Sequence, residues 1–191
     1  MEQISELIRR RRTIKPKLLA DRPVENGLIE EMLENANWAP THGLTEPWRF
    51  SVFTEEARGR LAEFLSETYR EVCPPDDFRK KKFEGLRVNP TLAAAVIAIG
   101  MKRQESKKIS ELDELLAVGC AVHNMHLTAA AHGLGGFWST NIAATSDRMR
   151  EFIGLGDDDR ALGLFYVGYP AEDWPTSSRG AVSDKTTWLT Q

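Results

Sequence analysis

Two rhythms of apolar residues run along this chain. Ile4, Leu7 and Ile8 space an apolar stripe at helical period, and that first short helix runs into arginines 9–12. Pro16 and Pro23 bracket a linker. Asn26 can cap a second helix, with Ile29, Met32, Leu33 and Ala36 on one face. That helix stops at Trp38-Ala39-Pro40, because a residue before proline disfavours helix. A loop over 41–47 leads to Trp48–Thr54, which alternates like a strand. Glu55–Glu71 has helical spacing with Leu61, Phe64 and Leu65 inward, and Pro74-Pro75 breaks it. The charged stretch Asp76–Leu86 predicts a further helix, a candidate lid.

Asn89-Pro90 then leads into Leu92–Met101. This longest apolar run fits a strand buried on both faces. Glu111–Gly133 is the longest helical pattern and is apolar nearly all round, so it belongs in a core or a subunit interface. Phe137-Trp138 opens a short strand, and Ser146 caps a helix holding Met149, Phe152 and Ile153. Leu162–Val167 is the last core strand, closed by Gly168-Tyr169-Pro170. The tail 171–191 is polar, carries two tryptophans and builds no core of its own, so it is expected to pack on a dimer partner. The alternation of strands and helices predicts an α+β sandwich with helices packed on a central sheet. A length of 191 residues suits a single domain over 1–191.

Charge narrows the function classes. The net charge of −3 surrounds the basic run Arg9–Lys15 with a mildly acidic protein. Nucleic-acid binding through Arg9–Arg12 wants a broad basic face, which this chain lacks. A local pocket for a small anion suits it better, since arginine presents a planar fork that matches phosphate. Taken alone, the run reads first as a solvated helix face. The first residues, Met1–Glu6, lack the order of a signal peptide, and no apolar run approaches a bilayer span. No membrane partner is expected, and the expected compartment is the cytoplasm.

Other chemistries find little support. His123 and His126 sit one turn apart, but no carboxylate lies at ligand spacing, so no metal is expected and both read as interface or core groups. No serine sits in a glycine-flanked elbow, and Cys120, in an apolar helix, reads as a buried thiol. Gly133-Leu134-Gly135-Gly136 follows a helix rather than opening one, the wrong order for a dinucleotide fingerprint.

Five blocks remain, in order along nearly the whole chain. They are Arg11-Arg12-Thr13-Ile14-Lys15; Trp38-Ala39-Pro40-Thr41-His42 through Glu46-Pro47-Trp48-Arg49-Phe50; Asn89-Pro90 before an apolar strand; Gly119-Cys120-Ala121-Val122 through Gly136-Phe137-Trp138; and Gly168-Tyr169-Pro170 followed by Arg179. Together they resemble the nitroreductase family of FMN-dependent NAD(P)H oxidoreductases. The shortness of the chain and His42 in the loop are most like a compact bacterial subtype.

The resemblance implies a three-layer sandwich with a mostly antiparallel sheet and a domain-exchanging homodimer. It implies FMN as cofactor and NADH or NADPH as reductant. Hydride would pass through flavin N5 to a nitroaromatic, quinone or similar small acceptor by a ping-pong mechanism. The flavin carries the chemistry, so no catalytic side chain is implied. Arg11, Thr13 and Arg179 would clamp the phosphate, and Lys15 or Arg12 would place a cation near N1 and O2 of the ring. Trp138, Ser139 and Thr140 would lie along ring or phosphate, and His42 would reach the flavin from the neighbouring subunit. Trp138 reads equally as core, and Arg179 as a surface residue. Leu44 and Glu46 stand where the family often has asparagine and glutamine, and Pro16 directly follows Lys15. These departures touch ring contacts more than phosphate contacts, and they leave a flavin storage or sensing protein as the alternative to a turnover enzyme.

Overall fold

A computed structural model describes residues 4–190; Met1–Gln3 of the polar opening and Gln191 of the tail lie outside the described residues. The elements follow the predicted order: α1 (Ile4–Arg10), α2 (Asn26–Asn37), β1 (Trp48–Phe53), α3 (Glu55–Val72), α4 (Lys80–Leu92), β2 (Ala95–Met101), α5 (Glu111–Ala131), β3 (Gly135–Ser139), α6 (Asp147–Phe152) and β4 (Arg160–Gly168). The strands form one sheet in the order β1-β2-β4-β3, and every strand pair is antiparallel.

All seven residues of β2 are buried, so the strand has no solvent face. Ala95, Ile97, Ile99 and Met101 meet α2 and α5 on one side, through Met32, Ala36, Val118 and Met125. Val96 and Ala98 meet α3, α4 and α6 on the other, through Leu61, Leu65, Leu86 and Met149. The two-residue period of a strand thus feeds two separate cores, and helices cover both faces of the sheet.

Helix ends follow local chemistry. The Ser110 hydroxyl accepts from Asp113 N at the start of α5, and the Ser146 hydroxyl accepts from Met149 N at the start of α6. Asn26 is not a cap: α2 begins at it, Glu25 holds the cap position, and no side chain bonds there. The strand expected from Leu92 begins only at Ala95, because α4 continues through Asn89-Pro90 to Leu92. Pro90 falls in the last turn, where its missing N–H costs one hydrogen bond at most, and its ring is buried. Cys120 is exposed and Cys73 is the buried thiol. The apolar pattern of α5 fixed a buried helix but not which of its sides faces outward.

β4 carries a bulge at Leu162, between the pairs Ile99–Gly163 and Gly100–Ala161. Gly163 takes φ +116°, and a Cβ there would lie 2.4 Å from the Ser139 carbonyl oxygen, so the bulge requires glycine. The Leu162 carbonyl accepts instead from the Trp138 indole N–H at 3.0 Å.

The outer edge of β3 is met by the N-terminal arm. Thr13 bridges Gly136 in parallel, and Ile14 N donates to the Gly136 carbonyl at 3.0 Å. Gly135 and Gly136 make this crossing possible. A Cβ at Gly135 would lie 2.6 Å from Ile14 Cβ; one at Gly136 would lie 2.4 Å from Phe165 Cζ and 2.9 Å from His126 Cδ2. Gly136→Ala should therefore destabilise the fold by about 2 kcal/mol, the scale of overpacking in a core that cannot relax. Urea unfolding measures it, and a midpoint equal to wild type would mean that Phe165 and His126 can move aside.

Candidate functional site

The chain leaves α1 at Arg10 and continues as an extended arm, so successive arginines point to different places. Arg10 reaches the Ala130 carbonyl at 3.0 Å and ties the arm to the end of α5. Arg12 turns to the backbone. Its Nε donates to the Pro175 carbonyl at 2.8 Å, and its Nη1 donates to the carbonyls of Arg9, Arg10 and Arg11. This tie brings the C-terminal segment alongside the arm. Arg179 arrives with it, oriented by the Ser177 hydroxyl at 2.7 Å and the Ser178 carbonyl at 2.8 Å.

Arg11 and Arg179 thus line one cavity of about 520 Å³ with Ile8, Arg9, Arg12, His123, Ser177 and Ser178. Among the described residues no carboxylate lines it. Arg11 is half-buried. Burial first, and then the charges of Arg179 and Arg12, pull its pKa below the ordinary arginine value. Cations gathered at partial burial without a counter-charge make a site for an anion.

Behind Arg11 lies His126, on α5 and 8% exposed. Its Nε2 is 3.1 Å from the Arg12 carbonyl, which can only accept, so Nε2 carries the proton. Arg11 Nη1 lies 3.5 Å from Nδ1 and 3.4 Å from Nε2. Near-equal distances to both nitrogens put it over the ring rather than on either lone pair. Burial and the Arg11 charge push the His126 pKa down to about 4, against the pull of the Arg12 carbonyl.

The remaining predicted residues divide into two places. Thr13 is exposed at the Gly136 bridge, and the exposed Lys15 follows it in the direction of β3. Trp138 is half-buried, packs against the core of the α2–α5 face and gives its indole N–H to the bulge. The Ser139 hydroxyl accepts from the Asn141 amide at 3.2 Å, and Thr140 is exposed just past the end of β3. His42 stands apart, exposed, with Nδ1 3.3 Å from Asp113 Oδ2 at the start of α5. Hydrogen bonds from the Ser110 hydroxyl and then His42 hold the Asp113 carboxyl below its usual range. Asp113 and His123 are ten residues apart on α5, about 15 Å along the axis, so His42 does not share the Arg11 cavity within one chain. The loop carrying His42 is strained: Leu44 and Glu46 both have positive φ, which Gly43 beside them adopts without cost.

Sequence reading assigned no cofactor role to Ile8, Arg9, Ser177 or Ser178 in the lining, nor to two histidines of α5, His123 in the lining and His126 behind Arg11. Their spacing puts both on one side of α5. Nothing local reveals that the N-terminal arm crosses the helix there.

The fold and cavity define an α+β protein with a cationic cavity lined from both the N-terminal arm and the C-terminal tail. The model of the nitroreductase family matches residues 8–169, and the chain belongs to that family, whose members are FMN-dependent oxidoreductases. YdjA of Escherichia coli (strain K12), whose name assigns it provisionally as an NAD(P)H nitroreductase, is 30% identical over 190 residues, spanning 100% of this chain and 99% of its own. A crystal structure of a nitroreductase-like family protein from Bacillus cereus matches with a TM-score of 0.86 at 24% identity, over 100% of this chain and 98% of that one. NfnB from Mycobacterium smegmatis, an FMN-dependent nitroreductase solved in complex with NADPH, matches at 0.74 and 19% identity, over 97% of both chains. Among the described residues no helix is long and apolar enough to cross a membrane.

A histidine held near pKa 4 when folded and near 6.5 when unfolded binds its proton more readily in the unfolded chain. Its neutral form costs nothing above pH 6.5, and stability is lost progressively as pH falls from there towards 4. The loss should reach about 2 kcal/mol at pH 5 relative to pH 8. Urea unfolding of wild type and His126→Gln at both pH values checks this, since the variant should lose that much less.

Proposed function

We propose that this protein is an FMN-dependent NAD(P)H oxidoreductase that works as a homodimer, with the cofactor phosphate held in the Arg11–Arg179 cavity. The convergence of Arg11 and Arg179 on one cavity without a carboxylate carries this reading. A phosphate dianion answers the charge gathered there. Arg11 and Arg179 would hold it, with the Ser177 hydroxyl and His123 beside them. Arg12, tied to carbonyls, adds its field rather than its fork. Thr13 and Lys15 would lie towards the ribityl chain and ring, and the Lys15 ammonium would favour negative charge developing on the pyrimidine side. Ser139 and Thr140 would border the ring with backbone and hydroxyl groups, while Trp138 serves chiefly as the core residue that fastens the β4 bulge.

When bound, FMN would supply the redox chemistry, hydride transfer from NADH or NADPH to a nitroaromatic, quinone or similar acceptor in a ping-pong cycle. The side chains bind, orient and set charge, and none acts as nucleophile. The names of YdjA and NfnB support the reductant and, among the acceptors, the nitro compounds.

Unpartnered surfaces support the dimer. Leu112 and Leu116 form an exposed apolar stripe on α5, and Ile4 and Ile8 are exposed on the neighbouring α1. The tail carries Val182, Trp188 and Leu189, the last two more than four-fifths exposed. β1 is an edge strand whose outer ladder is unpaired among the described residues, so an extended tail from a second copy could add to it. His42, remote from the cavity of its own chain and carried on an exposed loop where it pairs with Asp113, would serve the partner's flavin.

Arg11→Ala with Arg179→Ala should release FMN. Flavin absorbance retained on the protein after dialysis would refute the phosphate assignment. Wild-type holoprotein mixed with NADH and with NADPH in a stopped-flow should bleach within seconds; flavin that stays oxidised with both would contradict the turnover reading. Leu112→Glu with Leu116→Glu should give a monomer by light scattering, with FMN lost alongside. A dimer that persists would place the subunit interface elsewhere.

A further inference from the structure

His126 is a buried titratable group that the redox cycle does not use. Its ring is confined on every side. The edge of Phe165 meets it at 5.1 Å between centroids and 78° between planes. A Cβ at position 136 would lie 2.9 Å from its Cδ2 and 3.0 Å from its Nε2, so the β3 backbone already touches it. Nε2–H fixes the ring to the Arg12 carbonyl, and Arg11 Nη1 rests over the ring. The charged and titratable groups acting on it are Arg11 from the arm and His123 from one turn earlier on α5.

We propose that His126 is the positioning residue for Arg11: a neutral imidazole, locked by the Arg12 carbonyl and Gly136, is the floor on which the guanidinium lies and is aimed at the cofactor phosphate. The proposal rests on the reading of the cavity as the FMN phosphate site. An imidazole suits this task in two ways. It donates to the same stretch of backbone that carries Arg11, so the arm and the ring move together. It also offers the cation a flat π surface without a counter-charge that would compete with phosphate. A carboxylate there would neutralise Arg11, and an aliphatic residue would leave the arm without this anchor. The depressed basicity of the ring keeps it uncharged at neutral pH.

The test compares FMN with riboflavin, which has the same ring and ribityl chain but no phosphate. Dissociation constants for both are measured by flavin fluorescence at pH 7.5 on wild type, Arg11→Ala, His126→Leu, His126→Gln and the Arg11→Ala/His126→Leu double variant. His126→Leu should weaken FMN about tenfold, the scale of a lost buried hydrogen bond, and leave riboflavin unchanged. His126→Gln, whose amide can still donate to the Arg12 carbonyl, should recover most of the loss, and His126→Leu should add nothing once Arg11 is alanine. A loss shared by FMN and riboflavin, unchanged FMN affinity, or full additivity with Arg11→Ala would each overturn the positioning role. If Arg11→Ala preserves the preference for FMN over riboflavin, the cavity reading fails. If Arg11→Ala abolishes that preference and His126→Leu keeps it, only the role of His126 fails. Should the leucine variant not fold, nitrogen-15 NMR of the wild-type ring decides: a neutral Nε2–H tautomer persisting at pH 6 supports the proposal, and an imidazolium there overturns it.

Discussion

The guanidinium of Arg12 is bonded to carbonyls from both ends of the chain, and the cationic cavity depends on that tie. Through Nη1 it fastens the arm to itself at Arg9–Arg11, and through Nε it holds Pro175. Without it the segment carrying Arg179 has little to keep it beside Arg11, because the tail buries almost no apolar surface. Two cations brought together repel each other, and after burial this repulsion is what lowers the basicity of Arg11. Hydrogen bonds to backbone hold that repulsion in place, and a bound anion would relieve it.

The arm itself is held by a crossing that only glycine permits. Gly135 and Gly136 let Ile14 and His126 approach β3 from two sides, and the edge of the sheet gains a parallel bridge there. The two cores of the sheet and the site meet at this point. Ile14 belongs to the core of the α3 side, while His126 touches Phe165 in the core of the α5 side. The packing that stabilises the sheet is also what fixes the arginines.

Outside the cavity, the surfaces left exposed have a common character. Among the described residues, the α5 stripe, the α1 face, the outer ladder of β1, the His42 loop and the apolar tail residues are each left exposed or unpaired within one chain. A second copy would supply a partner for all of them at once, and this economy is the physical argument for a dimer.

The sequence by itself determined the order of all ten main elements, the double-sided burial of β2 and the helix stops at Trp38 and Cys73. Each depends on a local rule: apolar period, proline punctuation or a serine cap. It also carried the family resemblance, since Arg11–Lys15, Pro47-Trp48, Gly135-Gly136 and Arg179 stand in readable order. Tertiary structure alone decided which arginine faces the cavity and which turns to the backbone, because residues in an extended arm differ only in what they meet. It exposed Cys120 and buried Cys73, since an apolar helix does not announce its outward side. It also kept Pro90 inside α4, where a buried ring outweighs one missing donor. It brought His126 against the arm through the crossing of arm and helix, a contact between positions more than a hundred residues apart that no local pattern encodes.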